Sequence, residues 1–173
     1  MTIERKVIKQ GRVFRFVEES YTLPDGRTAR IDKVEHPGAV VILPLESPGR
    51  IFVLNQYRPA VRETLMEVPA GTLEVGEDPN ACARRELAEE IGKKAEHWQS
   101  LGTLLPAPGF CDEVQHCYFA SGLSDDFAEM DDDEQIESLI ISVEQFEQFV
   151  LDGRIRDGKS IAIFARARLM GLL

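Results

Sequence analysis

Cysteine and histidine are scarce in this chain. Three cysteines, Cys82, Cys111 and Cys117, stand among 173 residues. An odd number at no regular spacing excludes a disulfide framework and fits the reduced thiols of a cytoplasmic protein. The three histidines, His36, His97 and His116, never pair as H-x-x-x-H, and His116 beside Cys117 makes no zinc pattern. Positive charge is also in deficit. Twenty Lys and Arg against thirty Asp and Glu give a formal net charge of −10, which argues against a nucleic-acid backbone or an anionic membrane as partner. Long apolar runs are missing: AVVILPL is far too short to cross a bilayer. The charged opening MTIERKVIKQGRVFRF reads as no signal peptide. No repeat, low-complexity tract or linker interrupts the chain. Its length suits one domain, or one with a small addition, large enough to enclose a core without staples. A chain this acidic that handles phosphates would need cations to do so.

What is present begins with strands. Residues 3–9 and 12–23 alternate loosely, and PDGR at Pro24–Arg27 is a turn leading into TARIDKVE. GAVVILPL is nearly continuous and β-branched, the pattern of a strand buried on both faces. SPGR then turns the chain into IFVLNQYR, completing a hairpin. WQSLGTLLP, VQHCYFASGL and IESLIISV read as further strands, with the acidic SDDFAEMDDDEQ as a loop between the last two. Two helices follow. Ser142 and Gln145 form a capping box before Phe146, Phe149 and Val150, with Gly153 as the stop. The segment KSIAIFARARLM is expected to place Ile161, Phe164, Ala165 and Leu169 on one side. The sum is a mixed sheet with helices, preceded by a β-rich segment of residues 1–37. Phe14, Phe16 and Tyr21 in that segment could stack on a base, but core packing is the commoner use of such aromatics.

The stretch AGTLEVGEDPNACARRELAEEIGKK, residues 70–94, carries the chemistry. Asp78 followed by Pro79 starts a helix, and Gly92 stops it after Ile91. Ala81, Ala83, Leu87 and Ile91 are its expected apolar side. On it Glu86, Glu89 and Glu90 stand at i, i+3 and i+4, so three carboxylates share one face. Like charges at i and i+4 repel, and a purely structural face would alternate signs. Such a triad becomes favourable around a hard divalent cation, which takes oxygen ligands and substrate phosphates together. Gly71 in the preceding PAG lets the backbone approach closely, and Arg85 can reach back to Glu77 in the loop.

Gly71, five residues, Glu77, seven residues and RELAEEIGK resemble the Nudix box, G-x5-E-x7-R-E-U-x-E-E-x-G-U with U apolar. The seven fixed positions match. At roughly 7% per residue type the chance at one start is about one in 10⁸. Lys93 at the last apolar position is the one departure, and it touches packing rather than chemistry. The resemblance implies an α/β/α sandwich and Mg²⁺- or Mn²⁺-dependent hydrolysis of a diphosphate joined to another group. It implies Glu86 and Glu90 as metal ligands beside the Ala70 carbonyl. Glu89 would be a ligand to a second ion, or bind through water. Gly71, Glu77 and Arg85 would support the site.

Four other stretches, VEHPGAVVILPL, QYRPAVRETLMEVPAG, LLPAPGFCDE and DGKSIAIFARARL, are similar to the branch that holds ADP-ribose pyrophosphatases and other nucleoside diphosphate sugar hydrolases. Pro108 stands where that branch carries a proline beyond the box. The resemblance implies that ADP-ribose is split to AMP and ribose 5-phosphate, with GDP-mannose or ADP-glucose as alternative substrates. An ADP-ribose-sensing module without turnover is the non-enzyme alternative. It further implies a homodimer formed through residues 1–37, with residues 38–173 as the hydrolase domain. Arg58 and Arg30 resemble the arginines that meet the phosphates. The general base falls to Glu134, with Asp132 as neighbour, or to Glu113.

Overall fold

The computed structural model describes residues 2–126 and 136–173, with side chains from residue 4 onward. Three strands open the chain: β1 (Thr2–Gln10), β2 (Arg15–Thr22) and β3 (Thr28–Glu35). They form their own antiparallel sheet in the order β1-β2-β3. Val17 is fully buried, while Val7, Ile8, Val13, Phe14 and Phe16 are exposed. Phe14 and Phe16 are therefore not the core residues that their type suggests, and Tyr21 is half-buried. A three-stranded antiparallel sheet commonly packs one face and leaves the other to solvent.

The remaining strands are β4 (Ala39–Ser47), β5 (Arg50–Arg58), β6 (Glu63–Glu67), β7 (Ala70–Thr72), β8 (Lys93–Leu104), β9 (Gln115–Asp125) and β10 (Ile136–Ser142). They build a seven-stranded sheet along the path β10-β5-β4-β9-β8, with β6 beside β5 and β7 beside β4. β4 and β9 run parallel and the other pairings are antiparallel, so the sheet is mixed. The β4–β5 hairpin closes through Gly49 at φ +76°. β6 and β7 were not foreseen. They are short, and Pro69 between them breaks the periodic signal.

The central strands sort their side chains by parity. Val40, Ile42, Phe52 and Leu54 pack with Cys82, Ala83, Leu87 and Ile91 of α1 (Pro79–Ile91). Val41, Leu43, Ile51 and Val53 pack on the opposite face. There they meet Val143 and Phe146 of α2 (Val143–Leu151) and Ile163, Phe164 and Ala167 of α3 (Gly158–Leu169). Each such aliphatic side chain removed from water contributes about 1.5–3 kcal/mol. The result is the expected α/β/α sandwich, with β4 buried on both faces.

Two helix faces differ from the expected ones. In α1 Ala81 is exposed, and the buried stripe runs through Cys82, Ala83, Leu87 and Ile91. In α3 Ala165 is exposed and Leu169 is 89% exposed, while Ser160, Ile163, Phe164 and Ala167 are buried. Phe164 stacks on Phe146 at 4.1 Å between ring centroids. That contact fixes the helix rotation and turns Leu169 outward. β8 begins at Lys93, earlier than its apolar residues suggest, and Lys93 pairs with Asp125 across to β9.

Candidate active site

α1 is held at both ends by the expected chemistry. The Asp78 carboxylate accepts from the backbone N–H of Asn80 (3.0 Å) and Ala81 (3.1 Å). Gly92 adopts a left-handed conformation, φ 63°, and its N–H donates to Ala88. Arg85 is the hub between this helix and the loop before it. Its Nε and Nη2 donate to the two oxygens of Glu77 at 3.0 and 3.1 Å. Its Nη1 donates to Glu86 and to Glu89, both at 2.8 Å. Glu77 also accepts from the Glu74 N–H at 2.9 Å, which closes the loop. The Arg85 guanidinium holds the Glu77 carboxyl down to about 2. In return Glu77, then the nearby Glu86 and Glu89, raise Arg85 further above its ordinary value. Cys82 lies at the same hub; burial and then the Glu86 charge push its thiol up to about 12.

Glu86 and Glu90 are both buried, Glu90 to 4% exposure. A buried carboxylate needs a compensating donor. For Glu86 that is Arg85; for Glu90 it is the Ala70 N–H, at 3.0 Å. The i, i+4 conflict between them is thus met by a different donor for each. Gly71 completes the arrangement. A Cβ at that position would lie 1.8 Å from Glu86 Cδ and 1.9 Å from its Oε1. The Glu86 carboxylate therefore rests directly on the glycine backbone, where no other residue has room for it.

Among the described residues no group of three His, Cys, Asp or Glu side chains is gathered as a cation site, and Glu86 and Glu89 are both bonded to Arg85. The donor set nonetheless suits a hard divalent cation. It offers the carboxylates of Glu86 and Glu90 beside the Ala70–Gly71 backbone, with Glu89 joined to Glu86 through Arg85.

A second charged cluster, unforeseen from sequence, lies beside the first. Glu67, 1% exposed, accepts from Arg58 Nε at 2.9 Å and Nη2 at 2.7 Å. Its Oε2 also meets Lys159 Nζ, which lies 3.0 Å from Asp157. Burial alone would push the Glu67 carboxyl up, but the bonds from Arg58 and Lys159 outweigh it and hold it below the usual range. Glu67 first, and then Glu90 at longer range, raise Arg58. Asp157 caps α3 by accepting from Ser160 N–H at 2.9 Å and its hydroxyl at 2.5 Å. Ser160 Oγ in turn accepts from the Val68 N–H at 2.8 Å. No local sequence signal marks Glu67, because its second cation, Lys159, lies 92 residues away.

The other expected residues stand apart. Glu113 follows the loop that carries Pro108, and this loop is tied to β3. Val34 N–H donates to Phe110 (2.7 Å), and Asp112 N–H donates to Val34 (3.1 Å). Glu113 accepts from Gln115 Nε2 at 3.0 Å. Gln115 is buried, and its Oε1 has no hydrogen-bond partner among the described residues. Arg30 is exposed on β3, opposite Ser20. None of the hydrogen bonds or ion pairs among the described residues joins Arg30 or Glu113 to α1. Glu134 and Asp132 lie outside the described residues. An open cleft of about 1020 Å³ separates the N-terminal sheet from the loop after β7, bordered by Arg5, Arg12, Arg15, His36, Thr72 and Glu74 among others.

A family profile described as NUDIX domain matches residues 35–162. The chain is 36% identical over 162 residues to a methanol dehydrogenase activator of Bacillus methanolicus, covering 92% of this chain and 88% of that one. It is 35% identical over 161 residues to an ADP-ribose pyrophosphatase of Bacillus subtilis (strain 168), covering 92% and 87%. A crystal structure of an ADP compounds hydrolase has the same fold, with a TM-score of 0.84 over 98% of this chain and 92% of that one, at 18% identity.

Proposed function

The chain belongs to the Nudix family, and from that premise we propose that it hydrolyses the diphosphate of ADP-ribose, giving AMP and ribose 5-phosphate. The observation that carries the reaction class is the seat of Glu86 on Gly71 beside Glu90 and Ala70. The choice of ADP-ribose rests on the Bacillus subtilis relative of that activity. Glu86, Glu90 and the Ala70 carbonyl would hold Mg²⁺, or Mn²⁺, with Glu89 serving a second ion or binding through water. Such an ion, when bound, supplies charge neutralisation at the diphosphate and a more acidic bound water.

The chain's own residues do the rest. Arg58 offers a guanidinium to the phosphates, with planar donors that match their oxygens. Arg85 and Glu77 fix α1 against its loop, so that Glu86 and Glu90 keep one orientation. Glu113 or Glu134 takes a proton from the attacking water, and water's oxygen replaces the bridging oxygen at phosphorus. Arg30 reaches a phosphate from a second copy, in a homodimer formed through residues 1–37 and packed against the hydrolase domain of residues 38–173. No helix among the described residues is long and apolar enough to cross a membrane, and the reduced-thiol composition supports a cytoplasmic setting. The paired buried carboxylates speak for turnover and against a module that only senses ADP-ribose.

The test is Glu90→Gln with ADP-ribose and Mg²⁺, AMP release being followed. The variant is expected to lose activity by about 10²-fold or more, the size of a lost charge-stabilising group. Wild-type protein inactive on every diphosphate sugar in a panel with GDP-mannose and ADP-glucose would sink the proposal.

A further inference from the structure

The cluster behind Arg58 has a use that the reaction above leaves unassigned. We propose that Lys159 is a positioning residue for diphosphate recognition, sharing Glu67 with Arg58 so that Arg58 keeps its orientation and the carboxylates behind it do not repel the substrate. The inference rests on the reading of Arg58 as the phosphate-binding cation.

A guanidinium bound bidentately by a single buried carboxylate forms a pair of zero net charge. It is held well but attracts an anion poorly. Here one carboxylate serves two cations. Glu67 Oε1 takes Arg58 Nε, and Oε2 is divided between Arg58 Nη2 and Lys159 Nζ. Asp157, the other carboxylate on Lys159, caps the first turn of α3 and still acts on Arg58 at longer range. The cluster of Arg58, Lys159, Glu67 and Asp157 is therefore balanced in charge, and without Lys159 it would be net negative beside the arginine. Its Nε and Nη2 face Glu67, which leaves the Nη1 edge for a ligand.

Exposure separates the roles. Side-chain exposure is 35% for Arg58, 13% for Lys159 and 2% for Glu67. Only the arginine is open to an anion, so Lys159 acts through it. The cluster also reaches the carboxylate site along the backbone. Val68 is tied to α3 by Ser160, and Ala70 to α1 by Glu90. Lys159 and Ser160 thus pin, from the start of α3, the strand that carries Glu67 towards Ala70. Arg58 feels Glu90 across the same gap.

Binding of inorganic pyrophosphate in EDTA, measured by calorimetry on the full chain, tests this without turnover. Lys159→Met should weaken it about 10-fold, as expected for one charge acting through a few ångströms of partly screened protein. KM for ADP-ribose should rise by a similar factor, with kcat within about 3-fold. Lys159→Arg should recover most of the loss. In an Arg58→Lys background the Lys159→Met effect should shrink, because its route is gone. Should Lys159→Met fail to fold, Lys159→Gln is read by the same criteria. A merely structural ion pair would lower Tm and leave pyrophosphate affinity alone, and that result overturns the proposal. So does wild-type protein with no measurable pyrophosphate binding, or an undiminished effect in the Arg58→Lys background. Inactivity of wild type on diphosphate sugars with Lys159-dependent pyrophosphate binding would instead remove the proposed reaction and leave this inference standing.

Discussion

Replacing Gly71 by alanine separates position from stability at the candidate site. Gly71 has no positive φ, so its backbone conformation suits alanine, and the change taken alone should stabilise by about 0.4–1 kcal/mol. The obstacle is Glu86. The new Cβ would stand 1.8 Å from its Cδ and 2.3 Å from Oε2, against an ordinary contact of 3.4 Å or more. The carboxylate must retreat by roughly 1.5 Å, since a 1.8 Å contact has to open to an ordinary one. It is the far end of a flexible side chain, so it can do so cheaply. The retreat weakens one Arg85 hydrogen bond, a loss of about 0.5–1.5 kcal/mol. The two terms nearly cancel.

Activity has no such compensation. A displacement above 1 Å of a positioned group costs about 10²-fold in rate. Gly71→Ala should therefore lower kcat for ADP-ribose by about 10²-fold and raise the Mg²⁺ concentration needed for half-maximal rate. Tm should stay within about 4 °C of wild type, as expected for a net change near 1 kcal/mol in a chain of this size. Gly158→Ala is the control, since a Cβ there meets nothing within 4 Å. Steady-state AMP release with a metal titration, beside scanning calorimetry, measures all three. A variant with kcat within about 3-fold of wild type would refute the reasoning, for then the place of Glu86 on Gly71 does not matter to the reaction. Loss of activity only in proportion to loss of fold would refute it equally.

Two further expectations follow from the same hub and its thiols. The Glu77 carboxyl, depressed to about 2 by Arg85, contributes stability that is complete above its ordinary value of 4.5 and is lost as pH falls through about 2. The gap in urea midpoint between wild type and Glu77→Gln should hold steady at neutral pH and narrow through that acid window; a gap constant across it would count against the Arg85–Glu77 pair. Burial pushes Cys117 up to about 11 and Cys82 to about 12, whereas Cys111 is partly exposed. Alkylation of the native protein at pH 8 should mark Cys111 first in a peptide map, and preferential labelling of Cys82 or Cys117 would show that the closed packing around them is wrong.

What could be read from the sequence was what is written locally. The caps of α1 follow from Asp78, Pro79 and Gly92 within one segment, and β4 from an unbroken apolar run. The Arg85–Glu77 bond spans eight residues and was visible as spacing. Faces of short helices were less legible. α3 has apolar or small residues at several rotations, and tertiary contacts, among them Phe164 stacking on Phe146 from another helix, select one. Glu67 was illegible for a related reason: its second cation lies 92 residues away, and nothing local distinguishes it from an ordinary edge glutamate.

The carboxylate triad on α1 shows how far local pattern and tertiary contact each go. Spacing alone says that Glu86 and Glu90 repel, and that a stable face would not choose them. The fold answers with dedicated partners, Arg85 for one and the Ala70 N–H for the other, two residues beyond the bond from Val68 to Ser160 of α3. Packing of α1 does not require either carboxylate. Cys82, Ala83, Leu87 and Ile91 already supply its apolar contacts, and an apolar residue at 86 or 90 would need no partner at all. Replacing a buried charge by an apolar group of similar volume is often neutral or stabilising. Two buried charges, each separately supported and one seated where only glycine leaves room, are thus a burden on the fold that stability does not explain. An account in which those oxygens serve a ligand does explain it.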